Sequence, residues 1–146
     1  MLTVIKINQD KLPVPEKDGY CRGYKITKQD SSSPYFEHVF AIGENVSNRI
    51  CKCSDKKCPN CRDLNPTDKK DLPIVGKGFH LFPDLKKATK YIETCHRAPE
   101  PQYFHGYKII EVFYKPEDVI AYGLSGSDFA VAVMKLDVRS LEEIKL

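Results

Sequence analysis

No run of apolar residues in this chain is long enough to cross a bilayer as a helix. The opening M-L-T-V-I-K-I-N-Q-D-K also lacks the long apolar core of a secretory signal. The expectation is an intracellular protein with no membrane partner. Familiar catalytic signatures are missing too: there is no G-x4-G-K-[ST] phosphate loop, no G-x-G-x2-G opening a helix, no G-x-S-x-G turn and no H-E-x2-H pair. Their absence speaks against P-loop, Rossmann, serine-hydrolase and zincin chemistry. Internal repeats are lacking, and the net charge is only +3. What the chain does have is 41% apolar residues in 146, enough for one well-buried core. A single domain spanning 1–146 is expected.

Cysteine is plentiful by contrast. Cys51, Cys53, Cys58 and Cys61 fall within C-K-C-S-D-K-K-C-P-N-C. Thiolates suit a tetrahedral, soft-tolerant cation, and a C-x2-C knuckle lets two sulfurs reach one ion, so the run reads as a closed, structural zinc site. A catalytic zinc would keep a position open for water. Disulfides, free thiols or another metal remain the alternatives, although C-x-C closes a very short loop for a disulfide. The C-x-C-x4-C part is similar to the zinc-binding tail that follows the catalytic domain of many histone methyltransferases. Cys21 and Cys95 read as packed thiols, with Cys95-His96 a weaker candidate for a second or remodelled site. Residues 47–73, rich in proline and polar side chains, read as one insertion that a metal would tie down. From Arg49 to Lys77 there are eight Lys or Arg against four Asp, so this basic loop is the expected contact for a protein or nucleic-acid partner, or else a solvated loop.

The periodicity predicts strands at Leu2 to Ile7, Tyr20 to Ile26, Tyr35 to Ile42 and Gly76 to Phe82, with Gly43 ending the third. Leu85, Ala88, Tyr91, Ile92 and Cys95 recur at helical spacing behind Asp84 as N-cap, giving a helix over 84–95. Tyr107 to Tyr114 reads as a central strand and Phe129 to Leu136 as its partner or neighbour, with a turn and short strand between them. Leu141 to Leu146 reads as a helical turn or an edge strand. The class is α+β: a split, mostly antiparallel sheet core, one main helix and the zinc-pinned insertion. Asn45-Val46-Ser47 matches a glycosylation acceptor, a chance match if the chain is not exported.

Within this pattern, G-K-G-F-H-L-F-P-D-L-K-K-A-T-K-Y-I-E-T-C (Gly76 to Cys95) resembles the segment of poly-ADP-ribose polymerases in which a glycine-flanked strand leads into a helix of the nicotinamide pocket. Tyr20-Cys21-Arg22-Gly23-Tyr24 is similar to the aromatic-x-Arg-Gly start of the first core strand in arginine-type ADP-ribosyltransferases. Ser127-Asp128-Phe129-Ala130-Val131 stands where that superfamily's acidic residue and following strand fall. The chain also resembles short uncharacterised phage and bacterial proteins with a G-F-H strand, an A-x2-Y helix and a valine-rich closing strand. The superfamily resemblance implies NAD as cofactor, with Arg22 on its phosphates, His80 on a ribose hydroxyl, Tyr91 against nicotinamide, and Asp128 or Glu111 as the catalytic acid. Two positions depart from the pattern. His80 replaces a Tyr, and Asp128 replaces a Glu one methylene longer, a difference of about 1 Å that can cost on the order of a hundredfold in rate.

Each of these residues has an ordinary structural reading as well. Arg22 can be a strand-surface arginine, His80 a half-buried histidine bonded to backbone, and Tyr91 a core tyrosine with a satisfied hydroxyl. Glu111, in an apolar strand, must face water or find a partner. Two functions from different classes follow. One is a non-catalytic binding module, possible phage or viral type included. The other is an NAD-dependent ADP-ribosyl-transferring or NAD-cleaving enzyme with a divergent site, working by electrostatic stabilisation of positive charge at the ribose carbon.

Overall fold

The computed structural model describes residues 2–4, 13–34, 38–47, 74–75, 78–96, 106–125 and 128–145. The four cysteines of the proposed zinc site, and all of the 47–73 insertion except Ser47, lie outside them. The described strands are β1 (Leu2–Val4), β2 (Cys21–Lys28), β3 (Gly43–Val46), β4 (Ile74–Val75), β5 (Phe79–Leu81), β6 (Tyr107–Tyr114), β7 (Val119–Ser125), β8 (Asp128–Val133) and β9 (Lys135–Val138). One helix, α1 (Leu85–His96), follows β5, and a 3-10 turn (Pro116–Asp118) joins β6 to β7. The class is α+β. One sheet has the order β4-β1-β7-β8-β5 and the other β2-β6-β9-β3, with every described strand pair antiparallel.

The longest ladder pairs β2 with β6 over eight residues, from Cys21 opposite Tyr114 to Lys28 opposite Tyr107. Both strands are covered on both faces. Ile110, Val112 and Tyr114 turn inward with Cys21 to meet Phe79, Leu81, Val131 and Val133 of the other sheet, forming the larger core cluster. Ile109 and Ile26 turn outward to meet Phe82, Ala88, Ala130 and Ala132 in a second cluster beneath α1. Fully burying one such Ile or Val contributes roughly 1.5–3 kcal/mol. The helix sits where its sequence signals put it: Asp84 Oδ1 accepts the Lys86 amide at 2.8 Å as N-cap, and Ala88 is wholly buried.

Two seams join the sheets. At Met134 the chain passes from β8 in one sheet to β9 in the other, so the expected single strand Phe129 to Leu136 is two strands meeting at a corner. The Met134 amide donates to Asp118 and its carbonyl accepts from Ser47 at that bend. At the second seam Tyr24 and Phe82 exchange backbone hydrogen bonds of 2.8 and 3.0 Å, tying β2 to the end of β5. Gly23 is what allows this closeness. A Cβ there would lie 2.5 Å from Leu81 Cδ1 and 3.2 Å from Tyr114 Cε1.

Two further expectations are corrected. In the Tyr35 to Ile42 segment, residues 38–42 form no strand beyond an isolated Ser32–Val39 bridge, and Gly43, at φ +101, begins β3 instead of ending a strand. The cause is Asn45, whose buried amide accepts from the Ala41 N–H and donates to the carbonyls of Ala41 and Gly43, folding the chain back on itself. With that side chain enclosed, Asn45 is no glycan acceptor in the folded protein. Residues 141–145 form neither a helical turn nor a strand; the Ile144 amide donates to the Ile109 carbonyl as the chain runs along β6.

Replacing Gly23 by alanine requires the buried side chains of Leu81 and Tyr114 to shift and is expected to destabilise the fold by about 1–3 kcal/mol, measured by urea unfolding. An unchanged midpoint would mean that the seam tolerates the methyl group and that the close approach is not a constraint.

Candidate functional site

Past the Tyr24–Phe82 bridge, β2 and β5 diverge, and the gap between them is a cleft. Lys25 and Ile26 of β2, His80 and Phe82 at β5, Tyr91 of α1 and Tyr107 of β6 are among the residues that line it. The described residues leave about 60 Å³ of space there. Phe82 and Tyr91 form an aromatic wall, their centroids 5.4 Å apart and tilted by 44°.

Alternation along β2 turns Cys21, Gly23, Lys25 and Thr27 toward the inside of the molecule. The first two meet the apolar core, and the second two change the character of that face. Lys25 is 6% exposed. Burial lowers its pKa from the ordinary 10.5 to about 8. Diagonally across the ladder, on the same inner face, Lys108 is also buried, but its Nζ donates to the Leu141 carbonyl at 2.8 Å. Lys108 is thus satisfied by backbone, while Lys25 is among the residues that line the cleft. No aspartate or glutamate lines the cleft among the described residues.

Of the residues singled out in the sequence, His80 and Tyr91 come together here. His80 points opposite to the buried Phe79 and Leu81, as the alternation of β5 requires. Asp128 lies at the start of β8, its side chain 8% exposed and its carboxylate 3.5 and 3.6 Å from the ammonium groups of Lys87 and Lys90 on α1. It is not among the residues lining the cleft. Arg22 and Glu111 lie elsewhere again. They pair with each other at 3.6 Å on the outer face of the β2–β6 ladder, and Arg22 also reaches Glu16 at 3.4 Å. Arg139 stacks over Phe113 at 3.6 Å in the same surface cluster and pairs with Asp18 at 3.0 Å. The five residues implied by the ADP-ribosyltransferase resemblance therefore fall in three places, and the cleft that holds two of them has about a fifth of the volume at the lower end of the usual ligand-pocket range of about 300–1,000 Å³.

Cys21 is buried, its Sγ 3.7 Å from the Pro13 carbonyl, and burial pushes its thiol pKa up. It behaves as a packed thiol. Cys51, Cys53, Cys58 and Cys61, and the basic segment 49–77 apart from β4, lie outside the described residues. Among the described residues no group of three or more His, Cys, Asp or Glu could hold a metal ion, and no helix is long and apolar enough to cross a membrane. Comparison with protein families, with curated proteins and with solved structures finds no match to this chain.

Sequence reasoning missed Lys25. In Y-K-I-T-K the alternation suggests Tyr24 and Ile26 inside and Lys25 in water, because a strand covered on both faces hides its own polarity.

The buried ammonium makes a signed prediction. Below about pH 8 Lys25 is charged in both folded and unfolded chains, so its full desolvation cost weighs on the fold; between pH 8 and 10.5 the folded chain loses its proton first, and above 10.5 the cost is gone. The other titratable groups lining the cleft are His80, Tyr91 and Tyr107, and Cys21 and Tyr114 shift in the opposite sense, so the quantity to measure is a difference. Lys25→Met is expected to be more stable than the parent by about 3 kcal/mol at neutral pH, with the gap closing as pH rises to 10.5. A gap that stays constant with pH in parallel urea titrations would contradict this.

Proposed function

We propose that this chain is a non-catalytic, intracellular binding module: an ADP-ribosyltransferase-like split sheet that carries a basic loop, pinned by zinc on Cys51, Cys53, Cys58 and Cys61, through which it meets a protein or nucleic-acid partner. The observation that carries the reading is the engagement of the charged groups an NAD enzyme would need. Asp128 is held by two lysines at 3.5 and 3.6 Å, and Arg22 by Glu16 and Glu111. An acid that must stabilise a cation at the ribose carbon is poorly suited to that task while two ammonium groups neutralise it. An arginine clamped by two carboxylates is likewise not available to a pyrophosphate. The alternative, a divergent NAD-dependent transferase or NAD-cleaving enzyme, draws its support from His80 and Tyr91 sharing one cleft.

The zinc assignment rests on the chemistry of four closely spaced thiolates, and the partner assignment on the clustering of eight basic residues between Arg49 and Lys77.

With millimolar NAD or ADP-ribose, no thermal shift and no release of nicotinamide are expected. Turnover of NAD that is lost in Asp128→Asn would overturn the binding reading in favour of the enzyme. Protein purified without chelator is expected to carry about one equivalent of zinc, and less than half an equivalent would remove the zinc clasp from the account.

A further inference from the structure

Residues 13–20 carry the chain onto the start of β2, and little apolar surface holds them there. Most of the segment is exposed, Val14 by 84%. Among the described residues its backbone bonds are internal. The Glu16 amide donates to the Tyr20 carbonyl and the Gly19 amide to the Glu16 carbonyl, both at 2.9 Å, while the Tyr20 amide donates to Asp18 Oδ1 at 3.0 Å. The segment is thus a self-closed turn that can move as one piece. What ties it to the rest of the described molecule is mainly charge. Asp18 Oδ2 pairs with Arg139 at 3.0 Å and Glu16 with Arg22 at 3.4 Å, and the Tyr20 ring lies 5.4 Å from the Lys115 ammonium and 6.0 Å from the Arg139 guanidinium. Arg139 is the centre of this latch, because its guanidinium also stacks on Phe113 of β6 at 3.6 Å.

At the other end of the turn, Pro13 lies against Cys21, the first residue of β2, whose buried thiol donates to the Pro13 carbonyl at 3.7 Å. Burial, and then the Glu16 carboxylate, push that thiol toward its protonated, unreactive form. A nucleophilic group therefore sits under a segment fastened by surface ion pairs, which are individually weak and screened by salt. We propose that residues 13–20 are a charge-latched strap: release of the Asp18–Arg139 pair lets the turn lift without global unfolding and opens Cys21 to small electrophiles. Lifting the strap breaks exposed ion pairs and one weak thiol contact, whereas unfolding would break the eight-residue ladder between β2 and β6. This inference goes beyond the proposed partner-binding role, since it needs neither the cysteine segment nor NAD.

Labelling of Cys21 by N-ethylmaleimide in the full-length protein tests it, read by peptide mass spectrometry that separates Cys21 from the other five cysteines. The reagent is kept limiting, so that initial rates are compared. The rate is expected to rise about two- to fivefold between low salt and about 0.5 M sodium chloride, and by a similar factor at low salt in Asp18→Asn and in Arg139→Gln. Asparagine keeps the oxygen that the Tyr20 amide needs, so the turn itself is preserved. Glu16 is left unchanged because its carboxylate acts on the thiol directly. The double variant should label no faster than Arg139→Gln alone, since both changes remove the same pair. Throughout, the amides of Ile110 and Val112 should keep their exchange rates, which separates strap opening from a loss of overall stability. Labelling unmoved by salt or by the two substitutions, or rising only in step with exchange at Ile110 and Val112, would overturn the strap. So would labelling at low salt as fast as in the urea-unfolded chain, since the turn would then cover nothing. NAD turnover would refute the non-catalytic reading without bearing on these rates, so the two proposals fail separately.

Discussion

The two hydrogen bonds between Tyr24 and Phe82 hold β2 against the end of β5, and much of the molecule's shape follows from that short bridge. Because the bridge is one residue pair wide, the sheets meet there and separate beyond it. On one side of the seam, Gly23 lets Leu81 pack against the β2 backbone and extend the inner core. On the other, α1 lies across the seam and buries Ala88 against side chains from both sheets. The cleft is the space left where the edges part, and Lys25, the next residue along β2, is buried beside the seam.

Charge is distributed around this seam in a consistent way. Partly exposed groups find partners: Arg22 with two glutamates, Arg139 with Asp18, and two lysines of α1 with the more deeply set Asp128. Pairs between exposed groups are each worth little, about 0–1 kcal/mol, and contribute more to position than to stability. The deeply buried lysines differ. Lys108 is satisfied by a carbonyl, and Lys25 carries the desolvation cost of a buried ammonium.

Much of the architecture was legible because local signals agreed with one another. Asp84, followed by apolar residues at helical spacing, specified α1, and the β-branched and aromatic residues from Tyr107 to Tyr114 specified the long strand β6 with both ends correct. Where the reading failed, a tertiary contact overrode the local pattern. Asn45 folds the 41–45 segment through its own side chain, and the corner at Met134 interrupts an apolar run that looks continuous. The site was legible in part. His80 and Tyr91 line one cleft, while the destinations of Arg22, Glu111 and Asp128 depend on which oppositely charged groups lie near in space. Lys25 escaped notice because β2 is covered on both faces, so its alternation carries no signal of which lysine is buried.

The account stands on the bridge, and amide hydrogen exchange at Tyr24 and Phe82 tests it most directly. If the seam is an integral part of the cooperative core, both amides should exchange only with global unfolding, as slowly as those of Ile110 and Val112 in the centre of β6. Exchange at rates typical of the loop amides around Gly19 would show that the sheets part locally and freely, and the cleft beside Lys25 would then lose its structural basis.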